Sequence, residues 1–416
     1  MSDLALGIDI GTSGIRVAAL AADGTLQAGA AASHAEIGED HRAPQVWADA
    51  LRLALDRLGQ TVALGRIGAV AVDGTSGSVL GLDRSGGPVG GALMYNDAVS
   101  DPDIPTRIAA WAPAASAAHG PASALARALV LQDRPGVIRI AHQADWIAGL
   151  LAGAPLPGDE SNALKTGYDP VARRWPDWIG ETGLAPTLLP EIVPAGAATG
   201  VTSGAFGLPR DAVLVAGVTD GCASFLATGA AQPGDGVTAL GTTLTIKLLS
   251  DRPVFAPEYG IYSHRIGDIW LAGGASNSGG GVLAQVFSPE RIAELSSQID
   301  PASDSGFDYY PLPSPGERFP VSDPHFQPRM TPRPEEDAAY LHGLLEGIAR
   351  IEALGYRRLA ELGAPALAAL YSVGGGAEND TWSALRRRIT GVAQRAAAST
   401  QACAGVARLA LPHLSR

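Results

Sequence analysis

The stretch Leu6-Gly-Ile-Asp-Ile-Gly-Thr-Ser-Gly14, followed by Ile15-Arg-Val-Ala-Ala-Leu20, decides the fold of this chain. Two apolar segments flank a short turn that holds glycines and two hydroxyls, which is the pattern of a β-hairpin. Glycine lets the backbone approach a ligand, and the hydroxyls of Thr12 and Ser13 can donate to phosphate oxygens. Asp9 lies just before the turn, where its carboxylate can hold a hydrated Mg²⁺. Taken alone, the stretch fits an ordinary hairpin turn equally well.

The second half of the chain repeats this pattern. The segment Val237-Thr-Ala-Leu-Gly-Thr-Thr-Leu-Thr-Ile-Lys-Leu248 places Gly241, Thr242 and Thr243 in a turn between two β-type runs. Two such turns resemble the pair of phosphate hairpins that face one another in the actin-like ATPase fold. The resemblance implies an α/β protein with two actin-like (ribonuclease H-like) ATPase domains that flank a cleft.

Length and charge restrict the class of protein. A chain of 416 residues suits two domains, each large enough to bury its own core. We expect them at residues 1–227 and 228–416, with the last helix, at about 397–416, packing back on the first domain. The formal net charge of −12 argues against nucleic acid or an anionic membrane as a partner.

Cysteine content and the apolar runs bear on location. Cys222 and Cys403 are too few for a disulfide framework or a zinc site, and they favour a reducing compartment. The first residues lack the basic region of a signal peptide, and no apolar run approaches ~20 residues. The sequence therefore predicts a cytoplasmic protein, and we expect a monomer or a homodimer.

Two polar turns follow apolar strands in the first half. The run Ile67-Gly-Ala-Val-Ala-Val72 leads into Asp73-Gly-Thr-Ser-Gly77, where the Ser76 hydroxyl can bind a polyol, although a capped turn explains the pattern equally well. A short strand ends at Met94-Tyr-Asn-Asp97. Asp97 is a second candidate for bonding sugar hydroxyls, against the alternative of a simple Asx turn.

An acid stands at a strand-to-helix junction further along the chain. The run Ala212-Val-Leu-Val-Ala-Gly217 is typical of a parallel strand and delivers Asp220 to the start of a helix. Helix capping is the more common role for an acid at such a place. Because the second phosphate-type turn follows soon after, we predict that Asp220 lies near a transferred γ-phosphate.

Two glycine-dense segments are candidates for nucleotide binding. Trp270-Leu-Ala-Gly-Gly-Ala-Ser-Asn-Ser-Gly-Gly-Gly281 follows a strand and opens a helix, so its backbone N–H groups can approach phosphate, with a flexible loop as the alternative. Gly374-Gly-Gly-Ala-Glu-Asn379 follows another strand, and its glycines let a flat adenine ring lie on the backbone. The candidates for nucleotide contact here are Gly274, Gly375, Gly376 and Asn379.

Apolar periodicity predicts three prominent helices. They cover Pro44 to Leu58, Asp145 to a closing Gly153, and Ala338 to Leu362. A strand is predicted at Ala366 to Val373.

Motifs in one order through nearly the whole chain resemble the FGGY family of carbohydrate kinases. The resemblance is closest to its short D-ribulose kinase branch, also called xylulose-kinase-like, of cyanobacteria and plants. The shared motifs are Gly7-Ile-Asp-Ile-Gly-Thr-Ser-Gly14, Val72-Asp-Gly-Thr-Ser-Gly77, Tyr95-Asn96, Gln143-Ala-Asp-Trp146, Ser161-Asn-Ala-Leu-Lys165, Gly217-Val-Thr-Asp220, Gly273-Gly-Ala-Ser-Asn277, Asp308-Tyr-Tyr-Pro-Leu-Pro-Ser314, Gly316-Glu-Arg-Phe-Pro320 and Gly374-Gly-Gly-Ala377.

The resemblance implies phosphorylation of the terminal hydroxyl of a ketopentose by ATP with Mg²⁺, with D-ribulose as the expected sugar. It implies that Asp220 is the general base, that Asp9 is the acid on the metal and substrate side, and that Ser76 contacts the sugar. Thr12, Gly241 and Thr242 are implied to hold nucleotide phosphate. Ser13 and Thr243 join them as phosphate-side candidates, and Gly375, Gly376 and Asn379 border the adenosine.

The chain also departs from the family pattern. Tyr95-Asn-Asp-Ala98 stands where larger members have Trp-Asp-Arg, and Gly391-Val-Ala-Gln-Arg395 lacks the usual Gly-x-Pro. Gln401 stands where the family usually has Glu. A kinase for D-xylulose or another ketose or polyol therefore stays open, as do a catalytically inactive sugar or nucleotide sensor and a non-metabolic actin-fold ATPase.

Overall fold

A computed structural model describes residues 2–38 and 40–414, which contain sixteen strands and twelve α-helices. The strands are β1 (Leu4–Ile10), β2 (Gly14–Ala21), β3 (Leu26–Ser33), β4 (Ile67–Gly74), β5 (Val79–Leu82), β6 (Arg139–His142), β7 (Gly158–Asp159), β8 (Ile192–Val193), β9 (Ala198–Val201), β10 (Val213–Thr219), β11 (Asp235–Leu240), β12 (Leu244–Ser250), β13 (Tyr262–Ile266), β14 (Ile269–Ala275), β15 (Ala369–Val373) and β16 (Gln394–Arg395). The helices are α1 (Pro44–Gly59), α2 (Asp103–Trp111), α3 (Ala124–Gln132), α4 (Gln143–Ala152), α5 (Glu160–Ala163), α6 (Trp178–Glu181), α7 (Asp220–Ala227), α8 (Gly280–Ala284), α9 (Pro289–Ser296), α10 (Asp337–Glu361), α11 (Asp380–Thr390) and α12 (Ala402–Ala410). Over the described ranges, none of these helices combines the length and apolarity needed to cross a bilayer.

The chain divides into two units. The first comprises the chain up to Ala227, the short segment His264–Gly267 and the chain from Gln401 onward. The second comprises Thr228–Ser263 and Asp268–Thr400. The outermost residues of the predicted domains, Met1 and 415–416, lie outside the described residues.

The first unit is built on a six-stranded sheet in the order β3-β2-β1-β4-β10-β9. β1, β2 and β3 are antiparallel neighbours, whereas β1, β4 and β10 run parallel. All seven residues of β1 are buried, as expected for a central strand covered on both faces. Because the three parallel strands share one direction, their carboxyl ends lie at one edge of the sheet, where Asp9 of β1 is paired in register with Asp73 of β4.

Helix α12 packs on this sheet and on α7 at unusually short range. A Cβ added to Gly7 of β1 would lie 1.9 Å from the carbonyl oxygen of Cys403, and one added to Gly405 would lie 1.8 Å from that of Ala223. Glycine is therefore required on both sides of the contact. Cys403 is a buried free thiol, and its burial near Asp9 raises its pKa to about 12.

The second unit has a sheet in the order β13-β14-β12-β11-β15-β16. β11 and β12 form an antiparallel hairpin, and β15 runs parallel to β11 on its other side. This repeats the arrangement of β1, β2 and β4 in the first unit. The predicted α/β class with two sheet-containing units is confirmed.

A buried ion pair joins the helices of the second unit to its sheet. Arg386 of α11 donates to both oxygens of Glu352 on α10, at 2.7 and 2.6 Å, and both side chains are fully buried. The hydroxyl of Thr238 on β11 donates to the same carboxylate. The strand that leads into the turn at residues 241–243 is therefore fixed to two helices.

Candidate active site

The first hairpin turn presents its hydroxyls outward and is held from behind. The N–H of Gly11 donates to the carbonyl of Gly14 at 3.0 Å and closes the turn, while Thr12 and Ser13 are exposed. The backbone N–H of His34 donates to the carbonyl of Ser13 at 2.9 Å, and the His34 ring lies 3.2 Å from the carbonyl of Thr12. The predicted hairpin turn with the hydroxyls of Thr12 and Ser13 is present, and the structure adds the contacts of His34 behind it.

Three carboxylates belong to the ends of the parallel strands. Asp9 ends β1, Asp73 lies at the same level of β4, and Asp220 follows β10 as the first residue of α7. Asp9 is 6 % exposed and Asp73 is completely buried. The nearest cation to Asp9 is Arg16, whose Nη1 lies 3.6 Å from Oδ2 and whose side chain is half exposed.

Without a ligand, the surroundings of these acids disfavour their charged forms. Burial raises the pKa of Asp9, and the charge of Asp220 adds to this, while the Asp73 carboxyl and Arg16 oppose it. Burial also raises the pKa of Asp73 well above its ordinary value, and the charges of Asp9 and Asp220 act in the same direction. Asp73 faces no N–H or hydroxyl donor of the described chain, and only the Asp9 carboxyl is placed to share a proton with it.

This set of oxygen ligands fits Mg²⁺. Carboxylates are the hard ligands that Mg²⁺ takes, and the buried, unpaired oxygens of Asp73 and the repulsion between Asp9 and Asp220 are relieved by a cation. Among the described residues no three acidic, His or Cys side chains are close enough to hold an ion. An ion that keeps several waters and binds phosphate oxygens, as Mg²⁺ does, needs only one or two such carboxylates.

Asp220 is held in place by its own backbone and by β10. The N–H of Gly221 donates to Oδ1 of Asp220 at 2.7 Å. The preceding residue, Thr219, donates its N–H to the hydroxyl of the fully buried Ser161 at 3.2 Å. Asp220 itself is half-buried, so its carboxylate is fixed and still accessible to a substrate hydroxyl.

Ser76 and Asp97 have contrasting surroundings. Ser76 Oγ is buried without a hydrogen-bond partner in the described part of the chain. Its hydroxyl is therefore free to bond a ligand. Asp97 bonds Arg42 at 2.7 and 3.2 Å and accepts the N–H of Met94 at 2.8 Å. The structure thus gives Asp97 the Asx-turn role weighed in the sequence, and both of its oxygens are engaged. The partner of Asp97, Arg42, comes from a distant segment of the chain, which spacing alone could not reveal.

The turn of the second hairpin is braced by the segment that follows β14. The N–H groups of Gly280 and Gly281 donate to the carbonyls of Gly241 and Thr242, both at 2.9 Å. Gly241 and Thr242 are exposed, Thr243 is half-buried, and a Cβ on Gly241 would meet nothing closer than 3.8 Å. Packing does not require glycine at 241, and the space beside its backbone is open to a ligand.

Gly274 has a different role from the predicted phosphate contact. It is buried within β14, and a Cβ there would lie 2.5 Å from the Phe319 ring and 2.8 Å from the carbonyl of Gly260. Packing against Phe319 explains the glycine. In this glycine-dense segment, the residues that contact the turn at Gly241 and Thr242 are 279–281.

Glu317 is a functional candidate that sequence reasoning left without a role. Its buried carboxylate accepts the hydroxyl of Ser276 at 2.6 Å, the N–H of Asn277 at 2.7 Å and the hydroxyl of Tyr310 at 3.0 Å. Glu317 therefore fixes residues 276–278, which lead into the brace of the second hairpin. The Gly316-Glu-Arg-Phe-Pro320 motif was the available signal.

The predicted adenosine contacts differ among themselves. Gly375 is exposed, and a Cβ there would meet nothing within 4 Å, so a flat ring has room on its backbone. Gly376 is required by packing, because a Cβ would lie 2.6 Å from the Trp382 ring. Asn379 caps α11 by accepting the N–H of Trp382 at 2.9 Å, and its amide donates to Ser296 at 2.8 Å.

Comparison with known proteins shows what this chain is similar to. Residues 236–412 match the C-terminal domain of the FGGY family of carbohydrate kinases. A xylulose kinase of Streptomyces coelicolor is 27 % identical over 413 residues, covering 93 % of this chain and 83 % of that protein. Among solved structures, xylulose kinase from Rhodospirillum rubrum is 20 % identical with a TM-score of 0.82, covering 98 % of this chain and 89 % of that one. Plasmodium falciparum glycerol kinase with ADP is 16 % identical with a TM-score of 0.83, covering 99 % and 89 %.

These solved kinases share the actin-like ATPase fold that the two matching sheets display. Residues 236–412 therefore match an FGGY carbohydrate kinase domain, and the chain as a whole is similar to xylulose kinases, which are phosphotransferases that act on an alcohol group.

Proposed function

We propose that this enzyme transfers the γ-phosphoryl group of ATP to the terminal hydroxyl of a ketopentose, converting D-ribulose to D-ribulose 5-phosphate. The observation that carries the proposal is the fixed, accessible Asp220 beside the buried Asp9 and Asp73, at the same sheet edge as an exposed two-hydroxyl turn. A base for a hydroxyl and donors for phosphate are the equipment that phosphoryl transfer needs.

Asp220 is the general base of the proposed reaction. Its carboxylate accepts the proton of the terminal hydroxyl while that oxygen forms a bond to the γ-phosphorus. The bond between this phosphorus and the β,γ-bridging oxygen breaks, and ADP leaves with the electron pair. Because Oδ1 is fixed by the N–H of Gly221, the base loses little freedom when the sugar binds.

The remaining assignments divide between the units. Residues 1–227 are proposed to bind the sugar, through Ser76 and Asp9, and to carry Thr12 and Ser13 toward phosphate. Residues 228–416 are proposed to bind the nucleotide, through Gly241, Thr242 and Thr243 at the phosphates and Gly375 at the adenosine. Ligand contact stays a prediction for four further residues: Asp97, Gly274, Gly376 and Asn379. Mg²⁺, held on the side of Asp9, would neutralise phosphate charge.

D-xylulose is the second candidate substrate. The curated relatives that match over most of the chain are named xylulose kinases, whereas the D-ribulose assignment rests on the motifs of the short branch. The sequence expectations of a cytoplasmic location and of a monomer or homodimer stay with this proposal as predictions.

The test is coupled ADP release with Mg·ATP across D-ribulose, D-xylulose, L-ribulose, L-xylulose, ribitol and glycerol, for wild type and Asp220→Ala. We expect turnover with D-ribulose, and a loss of at least about 10³-fold in the variant with nucleotide binding retained. A preference for D-xylulose would replace the substrate and keep the mechanism. Wild-type turnover without sugar dependence, or equal loss of nucleotide binding in the variant, would contradict the proposal.

A further inference from the structure

Gln143, the first residue of α4, carries a buried amide whose donor group has no partner. Its side chain is about 1 % exposed, and the N–H of Thr75 donates to Oε1 at 3.0 Å. An N–H can donate only to the oxygen of an amide, so this bond fixes which end faces Thr75. Nε2 is therefore directed elsewhere, and it is buried without an acceptor in residues 2–38 and 40–414.

Two other side chains of the same turn share this property. Ser76 Oγ and both carboxylate oxygens of Asp73 are buried and have no hydrogen-bond donor or acceptor in the described chain, apart from the Asp9 carboxyl. The turn and Gln143 are in contact, because the Gln143 N–H donates to the carbonyl of Ser78 at 3.1 Å. Asp73, Ser76 and Gln143 form one group of unpaired polar side chains, which a purely structural turn would not retain.

We propose that Gln143 is a sugar-binding residue that determines specificity, with Nε2 donating to an oxygen of the carbohydrate. This inference rests on the proposed function and names a further residue of the same site. The amide supplies a donor, the Asp73 carboxyl an acceptor, and the Ser76 hydroxyl can do either. The group therefore matches a neutral ligand that carries both hydroxyl hydrogens and free oxygen lone pairs.

The chemistry of this group favours a carbohydrate over a nucleotide phosphate. A phosphate offers acceptor oxygens only, and its charge would be repelled by the acidic cluster of Asp9, Asp73 and Asp220. Methionine or leucine would fill the space of Gln143 without leaving a buried N–H₂ unpaired. Glutamine at this position is explained when the amide pairs with a substrate oxygen, and sugars without that oxygen would then be rejected.

The chain offers a matched control for the test. In Gln143→Glu the carboxylate still accepts the N–H of Thr75, while the donor is lost at almost constant size. Gln132 also uses both ends of its amide, since Nε2 donates to Gly183 at 3.0 Å and Oε1 accepts the N–H of Ala185 at 3.1 Å. Gln132→Glu makes the same chemical change at the end of α3, in a contact with Gly183 and Ala185 and away from the site.

The experiment measures KM for the best wild-type sugar, KM for Mg·ATP and the sugar-induced rise in Tm without nucleotide. We expect Gln143→Glu and Gln143→Met to raise the sugar KM about 10-fold or more and to abolish the Tm rise. KM for Mg·ATP should stay within about 2-fold, because the lost donor faces the sugar. Gln132→Glu should behave as wild type in all three measurements.

Several outcomes would overturn the inference. A sugar KM and Tm rise in the Gln143 variants equal to those of Gln132→Glu would overturn it and leave the proposed function standing. If the Gln143 variants do not fold, Ser76→Ala is the second test, because it removes an oxygen that no described residue bonds. Ser76→Ala must raise the sugar KM and leave the KM for Mg·ATP unchanged. A sugar KM equal to that of wild type would overturn the inference. A wild type without turnover and without a Tm rise for any sugar of the panel would overturn both proposals.

Discussion

At the scale of single residues, Asp9 shows function and stability acting in opposite directions. Its carboxylate is buried beside Asp73 and Asp220, and its pKa is raised by that burial. A group whose pKa is raised on folding destabilises the native state at pH values above its unfolded pKa. An unfavourable buried charge of this kind is expected where function requires it, and the proposed role of Asp9 toward Mg²⁺ would be such a requirement.

Asp9→Asn should therefore lower activity and raise stability together. We expect kcat/KM to fall about 100-fold with a higher Mg²⁺ requirement, because a carboxylate on the metal side is lost. The thermal midpoint should rise at pH 7, since one like charge is removed. Asp23→Asn, in an exposed turn where Asp23 accepts the N–H of Thr25, is the control and should leave activity unchanged. Wild-type Mg²⁺ dependence in Asp9→Asn would contradict the role given to Asp9.

Sequence patterns could predict the place of a side chain in the fold where that place depends on neighbouring residues, and not where it depends on a partner far along the chain. Asp9 and Asp220 could be placed because each ends a run of strand residues, and a strand end is visible in sequence. Asp97 and Asn379 were predicted as ligand contacts, but their carboxylate and amide groups bond Arg42 and Ser296, 55 and 83 residues away. Gln143 opens the Gln143-Ala-Asp-Trp146 motif, but sequence alone could not give it a role, because no periodicity or spacing shows that its amide lacks a partner.

At the scale of elements, periodicity located the helices closely. The helix predicted from Ala338 to Leu362 is α10, Asp337–Glu361, and the one closed by Gly153 is α4, whose closing glycine has φ 74°. The strand predicted from 366 begins at Ala369, because the residues after the Gly363-Ala-Pro365 break do not yet pair with β11. Pairing partners across the chain decide such ends, and single-sequence patterns do not contain them.

Glu317 acts through an element, the segment after β14 that holds the turn of the second hairpin. It holds Ser276 and Asn277, and the segment after them braces the Gly241–Thr242 turn by two backbone hydrogen bonds. Glu317→Gln keeps the size but replaces a carboxylate that accepts five hydrogen bonds through its two oxygens with an amide that has one acceptor oxygen. KM for Mg·ATP should rise about 5- to 20-fold with sugar affinity unchanged, since only the second hairpin is loosened.

The control for this prediction is Glu335→Gln, an exposed position in the segment before α10. It should leave both KM values at the wild-type level. If Glu317→Gln raised the sugar KM as much as the KM for Mg·ATP, the loss would be general, and the specific link from Glu317 to the nucleotide turn would be wrong.

At the scale of the whole molecule, a buried acid pair in the first unit and one buried acid in the second have pKa values shifted in opposite directions. In the first unit burial raises the pKa of Asp9 and Asp73. In the second unit burial alone would raise the pKa of Glu346, but its contacts with His342, Ser305 and Arg388 lower it to about 2. Stability from Glu346 is present above its unfolded pKa of 4.5 and is lost as the pH falls toward about 2.

Acidification should therefore affect the units in opposite directions. As the pH falls from 7, Asp9 and Asp73 add stability to the first unit, because in the native state they take up protons at a higher pH than in the unfolded state. Below about 4.5 the second unit loses stability, by up to about 3 kcal/mol from Glu346 alone. Hydrogen exchange followed by peptide reports β1 and β4 separately from α10, so the two responses can be read in one sample.

Glu346→Gln tests whether the charge of Glu346 stabilises the second unit. The variant should destabilise α10 and its neighbours at pH 7, and its difference from wild type should shrink as the pH falls through 4.5 and vanish near 2. Glu361→Gln on the same helix breaks only the exposed pair with Arg358, at 2.9 Å, and should change little at any pH. A difference between Glu346→Gln and wild type that is independent of pH would show that Glu346 acts by packing, and the contrast between the units would then rest on the Asp9 and Asp73 pair alone.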